Sequence, residues 1–394
     1  MKILVNTGPA HPLFFPVVPL AWALHAAGHQ VLVAAPESFE PVIRGAGLRM
    51  APVHGPLDMG EVMGRDRDGN PLKVPDTDEE LADGIGSGFA RLATRTLERT
   101  RALVATWRPD LVVTESYSFG AAALAAAEHG VPWVKHTVGP GDLPIVDAVA
   151  RELAPETKEC GLDVLPAPDL VLDNCPPLMG GAADGAVPLR YVPYGEPGAV
   201  PAWSLRPGDA PRVLVTLGSV QPQIGGLPAL GRMLRAVAEL PVELVVAVAD
   251  HLLPRLGELP GNVVAAGWQS LTAVLPGCDL AVHHGGPGTM MACSVQGLPQ
   301  VVVPGPGKPL TEIRRLTEHG GAIELAPAAL TPDTLREACR TLLDDPGRRA
   351  RALAVRDDIA AQPSPLRTVA VLEDLVDARA DARADARADA RVGA

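Results

Sequence analysis

A chain of 394 residues, 47% of them hydrophobic, is long enough for two domains that each bury a core of their own. Against 46 acidic side chains it has 34 basic ones, a net charge of −12 with no local basic patch, which sets it against nucleic-acid binding. Its five cysteines, at 160, 175, 278, 293 and 339, have neither metal-site spacing nor an even count. Together with an apolar strand at the very start, they predict free thiols in a reducing cytoplasm, with no signal peptide and no membrane span.

Residues 2–5 predict a buried strand, 19–24 a helix stopped at Gly28, and 30–35 a second strand. That βαβ unit implies a right-handed, doubly wound parallel sheet with its ligand crevice at the carboxyl ends of the strands. The loop after the first strand, 6–16, carries His11. Residues 55–90, glycine-rich, charged and weakly periodic, read as a mobile excursion over the crevice. Within them Asp66-Arg67-Asp68 forms a D-x-D, but a calcium loop requires Glu where Thr77 stands, so a solvated turn is expected. A helix over 91–107 ends at Arg108-Pro109. Strand 110–114 then presents Glu115, Ser116, Tyr117 and Ser118. Strand 131–136 leads to Gly139-Pro140-Gly141-Asp142, where the aspartate either closes an Asx turn or faces a ligand.

Proline and glycine crowd residues 174–212, and 196–211 read as a stiff interdomain linker. The alternation restarts with strand 212–217, and the small residues Gly218 and Ser219 at its end let backbone approach a diphosphate. Helices 227–239 and 251–257 alternate with strands 242–248 and 262–266. Beyond the last of these come Trp268 and Gln269. A tryptophan ordinarily packs in a core, but at a strand end it can stack on a base, an interaction on the scale of ~1–3 kcal/mol. Strand 279–282 feeds the run His283-His284-Gly285-Gly286-Pro287-Gly288-Thr289, which opens a helix over 290–295. A glycine turn entering a helix leaves the first N–H groups unpaired at the sheet edge, a setting that suits phosphate. Thr289 adds a hydroxyl and His284 a ring N–H. After a third strand at 297–304, helices follow at 333–343, 346–361 and 364–376. From 377 onward a four-residue Ala/Asp/Arg repeat reads as a solvated, disordered tail.

Between Gly267 and Gly321 the sequence GWQSLTAVLPGCDLAVHHGGPGT, continued by GLPQVVVP, resembles the nucleotide-sugar half of the UDP/TDP-dependent glycosyltransferases of GT-B fold. It is most similar to the bacterial branch that places deoxysugars on antibiotics and other natural products, and the likeness extends from Lys2 to about Thr368. This resemblance implies an α/β architecture of two Rossmann-like domains facing across a cleft. Residues 1–195, ending in a last strand at 190–195, would bind the acceptor. Residues 212–363 would bind the nucleotide sugar, and 364–376 would cross back onto the first domain. It also implies a donor site of Gly218, Ser219, Trp268, Gln269, His284, Gly285, Gly286, Gly288, Thr289 and Lys308. Leu13, Phe14, Phe15 and Tyr117 are expected to contact the acceptor.

Two departures from the family pattern concern chemistry. The position of the usual catalytic histidine is Leu13, so the base is expected to be His11, with Glu115 orienting it, or else Asp142. Lys308-Pro309 replaces the usual Asp-Gln that binds sugar hydroxyls, which favours a deoxy- or aminosugar over glucose. The expected reaction is inverting, metal- and cofactor-independent transfer from a TDP- or UDP-sugar to a hydrophobic aglycone by a homodimeric enzyme. Two other functions suit the same architecture: a nucleotide-sugar epimerase or hydrolase, and a non-catalytic auxiliary partner of a transferase.

Overall fold

A computed structural model describes residues 1–73, 75–305 and 310–392. Two parallel sheets organise them. The first contains β1 (Lys2–Asn6), β2 (Gln30–Pro36), β3 (Met50–His54), β4 (Leu111–Glu115), β5 (Trp133–His136), β6 (Leu170–Asp173) and β7 (Val187–Pro188), in the order β3-β2-β1-β4-β5-β6-β7. The second contains β8 (Arg212–Thr216), β9 (Glu243–Ala247), β10 (Val263–Gly267), β11 (Leu280–His283), β12 (Gln300–Val302) and β13 (Ala322–Glu324), in the order β10-β9-β8-β11-β12-β13. Central strands such as β4 and β8 are buried along their whole length, which explains their unbroken apolar runs. In both sheets the order reverses beside the first strand. The crevices therefore open at the turns after β1 and β4 in one sheet and after β8 and β11 in the other.

Residues 78–90 belong to a helix, where the sequence suggests a mobile excursion. Asp78–Trp107 is one helix of 30 residues, capped by the Thr77 hydroxyl and started by three acidic residues that suit its dipole. Its glycines depress intrinsic helix propensity, but packing requires two of them. A Cβ at Gly86 would lie 2.7 Å from Ala148 Cβ, and one at Gly88 would strike Met63 Sδ. Close helix–helix approach outweighs the roughly 1 kcal/mol that glycine costs in a helix. The loop before it holds the D-x-D, and Asp66 there accepts hydrogen bonds from Asp68 N and Asn70 N at 3.0 and 2.8 Å, closing its own turn.

Two other expectations are corrected. Residues 190–195 form no strand, and the first sheet ends at β7. The segment crosses between domains instead: Arg190 N donates to Pro363 O, and Tyr191 is buried in a cluster with Cys175 and Met179 on one side and Met290, Ile313 and Val355 on the other. The tail expected to be disordered from 377 continues the closing helix, which runs from Pro365 to Val392. Val369 and Leu372 anchor that helix in the core of the first domain, and Arg379 pairs with Asp169. Once such a nucleus is docked, an alanine-rich repeat propagates it, because alanine is the best helix former and elongation is far easier than initiation.

The linker is fastened to the second domain by Arg212. Its buried guanidinium bonds Glu243 at 2.6 Å, donates to the carbonyls of Trp203 and Arg206, and lies over the Trp203 ring. Among the described residues no helix is long and apolar enough to cross a membrane.

Candidate active site

The turn after β11 is built by His283. This buried imidazole accepts the Gly285 N–H at Nδ1 (3.0 Å), so its proton resides on Nε2, which meets Gln300 Oε1 at 2.8 Å. Burial lowers its pKa to about 4 and keeps it neutral. Thus the first histidine of the pair shapes the turn, while the second, His284, lies in the cleft. Gly285 has φ +76°, and Gly286 caps the helix Pro287–Val295. Proline at the first helical position removes an N–H that would have no partner in any case, leaving those of Gly288 and Thr289 at the opening.

The turn after β8 approaches from the opposite side. Gly218 has φ +72°, and a Cβ there would lie 2.5 Å from His284 Cε1; the same substitution at Gly286 would meet His284 Nε2 at 2.5 Å. The imidazole is therefore held between two glycines that no other residue could replace without displacing it. Thr216 Oγ1 completes the arrangement by accepting from Gly218 N at 3.0 Å.

Across a cleft open to solvent, these groups face Trp268, Gln269 and the loop that carries His11 and Phe15. Of the predicted donor residues, Gly218, Ser219, Trp268, Gln269, His284, Gly286, Gly288 and Thr289 line this one space. Gly285 stands behind it as the bend of the turn. Lys308 and Pro309 lie outside the described residues.

The acceptor side differs from expectation. Phe15 lines the cleft, but Leu13 and Phe14 are buried in two separate cores of the first domain, Phe14 completely, and so do not offer a surface to a ligand here. Tyr117 does not line the cleft; its ring packs tilted against Phe89, with its hydroxyl accepting from Leu143 N at 3.2 Å. Glu115 does not orient His11. Fully buried, it accepts from Gly8 N at 3.1 Å, from Tyr117 N at 2.7 Å and from Ser118 N at 3.2 Å, joining the loops after β1 and β4. Burial pushes its pKa up, and these hydrogen bonds pull against that shift.

The carboxylate that meets His11 is Glu196, whose Oε1 stands 3.4 Å from His11 Nε2. Burial lowers the His11 pKa, with Glu196 acting in the opposite direction, so the imidazole is neutral at physiological pH. Asp142 occupies a different environment. Both of its carboxyl oxygens are buried and, among the described residues, neither has a hydrogen-bond partner. Neighbouring Ser116 directs its hydroxyl to the His136 carbonyl instead. Burial raises the Asp142 pKa to about 7. Its loop reaches the donor helix at Gly139, where a Cβ would touch Pro287 Cβ at 2.5 Å. Glu196 was invisible as a site residue in the sequence, because a linker position becomes a site position only when the domains meet.

Residues 22–218 match the N-terminal domain, and residues 231–375 the C-terminal domain, of the family described as erythromycin biosynthesis protein CIII-like. The chain is 37% identical to the L-demethylnoviosyl transferase of Streptomyces niveus, with 93% of this chain and 96% of that protein covered. The chain belongs to this family and is a glycosyltransferase. Solved structures of the glycosyltransferase SsfS6 from Streptomyces sp. SF2575 with thymidine diphosphate, and of the spinosyn rhamnosyltransferase SpnG with spinosyn aglycone, superpose on it with TM-scores of 0.84 and 0.81. They are 38% and 31% identical to it, over 95% of this chain and 99% and 100% of theirs. The glycosyltransferase thus has the GT-B fold. Among its described residues no group of three or more His, Cys, Asp or Glu side chains is gathered as a metal site.

Proposed function

We propose that this glycosyltransferase moves a deoxysugar from a TDP-sugar to a hydrophobic aglycone, with inversion at the anomeric carbon and without a metal. The observation that carries this reading is the convergence of His284 and the N–H groups of Gly288 and Thr289 on the same cleft as Trp268 and His11. Thymidine diphosphate bound to SsfS6 and an aglycone bound to SpnG support the two substrate classes.

His11, neutral and open to the cleft, takes the proton of the acceptor hydroxyl as its oxygen attacks the anomeric carbon. The bond from that carbon to the diphosphate breaks on the opposite face. The diphosphate gains charge as it leaves, and the helix N-terminus with His284 stabilises it. Holding both substrates across one cleft replaces a bimolecular encounter by an oriented one, a gain on the order of 7–11 kcal/mol.

A second assignment of the base has its own support. Asp142 has a buried carboxyl and a pKa near neutrality, properties suited to accepting a proton from a phenol or an activated ring carbon. Incubation with labelled TDP-sugar and an aromatic acceptor tests the reaction: glycoside formation supports transfer, while sugar conversion alone or binding without turnover sinks it. His11→Ala is expected to lower kcat about 100-fold or more if His11 is the base. If only Asp142→Asn does so, the carboxylate holds that role.

A further inference from the structure

We propose that Glu196 is a positioning residue that joins the acceptor-side histidine and the nucleotide-stacking tryptophan through a single carboxylate. Resting on the functional reading above, this extends it to a linker residue. One oxygen, Oε1, lies 3.4 Å from His11 Nε2, while the other, Oε2, accepts the Trp268 indole N–H at 2.6 Å. Its backbone is placed independently of either contact. Gly195 is pressed so closely against the loop after β10 that a Cβ there would stand 2.2 Å from Thr272 Oγ1 and 2.4 Å from Ser270 Oγ. Consequently the chain enters the linker with Glu196 directed between the two aromatic rings, whose centroids are 5.3 Å apart.

The chemistry follows from the two bonds. A carboxylate facing Nε2 holds the imidazole proton there, leaving the Nδ1 lone pair to take the acceptor proton. As His11 becomes imidazolium, the same carboxylate balances the new charge in a pocket walled by Phe15, Phe39 and Trp268. Among the described residues lining the cleft, the other titratable groups are Tyr191, Tyr194 and His284. Burial pushes both phenols up and keeps them neutral, so Glu196 is the carboxylate that His11 meets there. Fixing the indole edge at the same time sets the plane on which a base stacks. Donor binding and base orientation thereby share one anchor.

Glu196→Gln separates the two roles, because an amide oxygen still accepts from the indole but carries no charge. In that variant, affinity for TDP by calorimetry should stay within about 2-fold of wild type, and kcat should fall about 10-fold with the donor KM unchanged. The His11 ring, followed by NMR, should titrate at lower pH, and the acid limb of the kcat/KM profile should move the same way. Glu196→Ala should add a roughly 10-fold weaker Kd for TDP, and Glu196→Asp should recover part of the loss. An unchanged His11 titration in the Gln variant, or wild-type TDP affinity in the Ala variant, overturns the proposal. Failure of the wild-type protein to bind TDP would instead overturn the functional reading, with the NMR titration still deciding whether Glu196 and His11 are paired.

Discussion

Both halves of the molecule arrange their strands in the same sense around the first strand, and the turns after β1, β8 and β11 meet in one cleft. What holds those turns separates them. In the second domain the bonds that close each turn are short-range: His283 accepts from Gly285 two residues on, and Thr216 from Gly218 two residues on. The first domain relies on distant parts of the chain. Asn6 bonds the Ser118 carbonyl, Gly8 bonds Glu115, and His11 meets Glu196 from the linker. On the proposed reading, a site for a constant diphosphate can be written into one local motif, whereas a site for the acceptor, assembled from remote segments, can change with its substrate.

The largest loss is expected from His284→Ala. If the second domain handles the departing diphosphate, kcat should fall about 100- to 1,000-fold in steady-state assays, the range seen when one donor to developing negative charge is removed. A loss confined to the acceptor KM would place the histidine on the wrong side of the cleft. Next in size, Gly86→Ala should destabilise the fold by about 1–3 kcal/mol, by forcing a methyl group against Ala148 and the Ile145 carbonyl. Denaturant titration would show it, while calorimetry should find TDP affinity unchanged, since the strain lies in the first domain alone.

Trp268→Ala should weaken TDP by about 1–2 kcal/mol, roughly 5- to 30-fold in Kd, and a variant that binds normally would remove the stacking assignment. The smallest effect concerns Asp142, whose pKa in the folded state is raised to about 7, above the ordinary value of 3.8. Such a group favours the folded state when protonated, and that contribution is lost as pH rises through 7. Asp142→Asn should therefore stabilise the protein at pH 8, by about 1 kcal/mol, with the gain shrinking as pH falls toward 4. Thermal melts at both pH values check the sign, and an equal gain at each would mean the carboxyl is paired or solvated.

Much of the proposed donor site was legible because its chemistry is local. A strand, a glycine turn and a helix start occupy consecutive residues, and Gly218, His284, Gly288 and Thr289 need only the sheet topology to bring them together. Even there one role was hidden: nothing in the pair His283-His284 says that the first ring braces the turn until Gln300 is seen beside it. On the acceptor side, residues 13–15 read alike as an apolar loop, yet a short helix over His11–Phe14 buries two of them and leaves Phe15 in the cleft.

Periodicity and turn chemistry act over a few residues, so the chain's own pattern was enough to give the two doubly wound sheets, the cleft at their strand ends and the glycine turn proposed to meet a diphosphate. Whatever depends on remote contact emerged only once the chain was folded. Helical glycines at 86 and 88 are favoured by the neighbours that press on them, and the Ala/Asp/Arg repeat is helical because it extends a helix already docked on the first domain. Glu115 belongs to a scaffold and Glu196 to the site for the same reason: a carboxylate's role is set by which donors surround it, and those donors come from elsewhere in the chain.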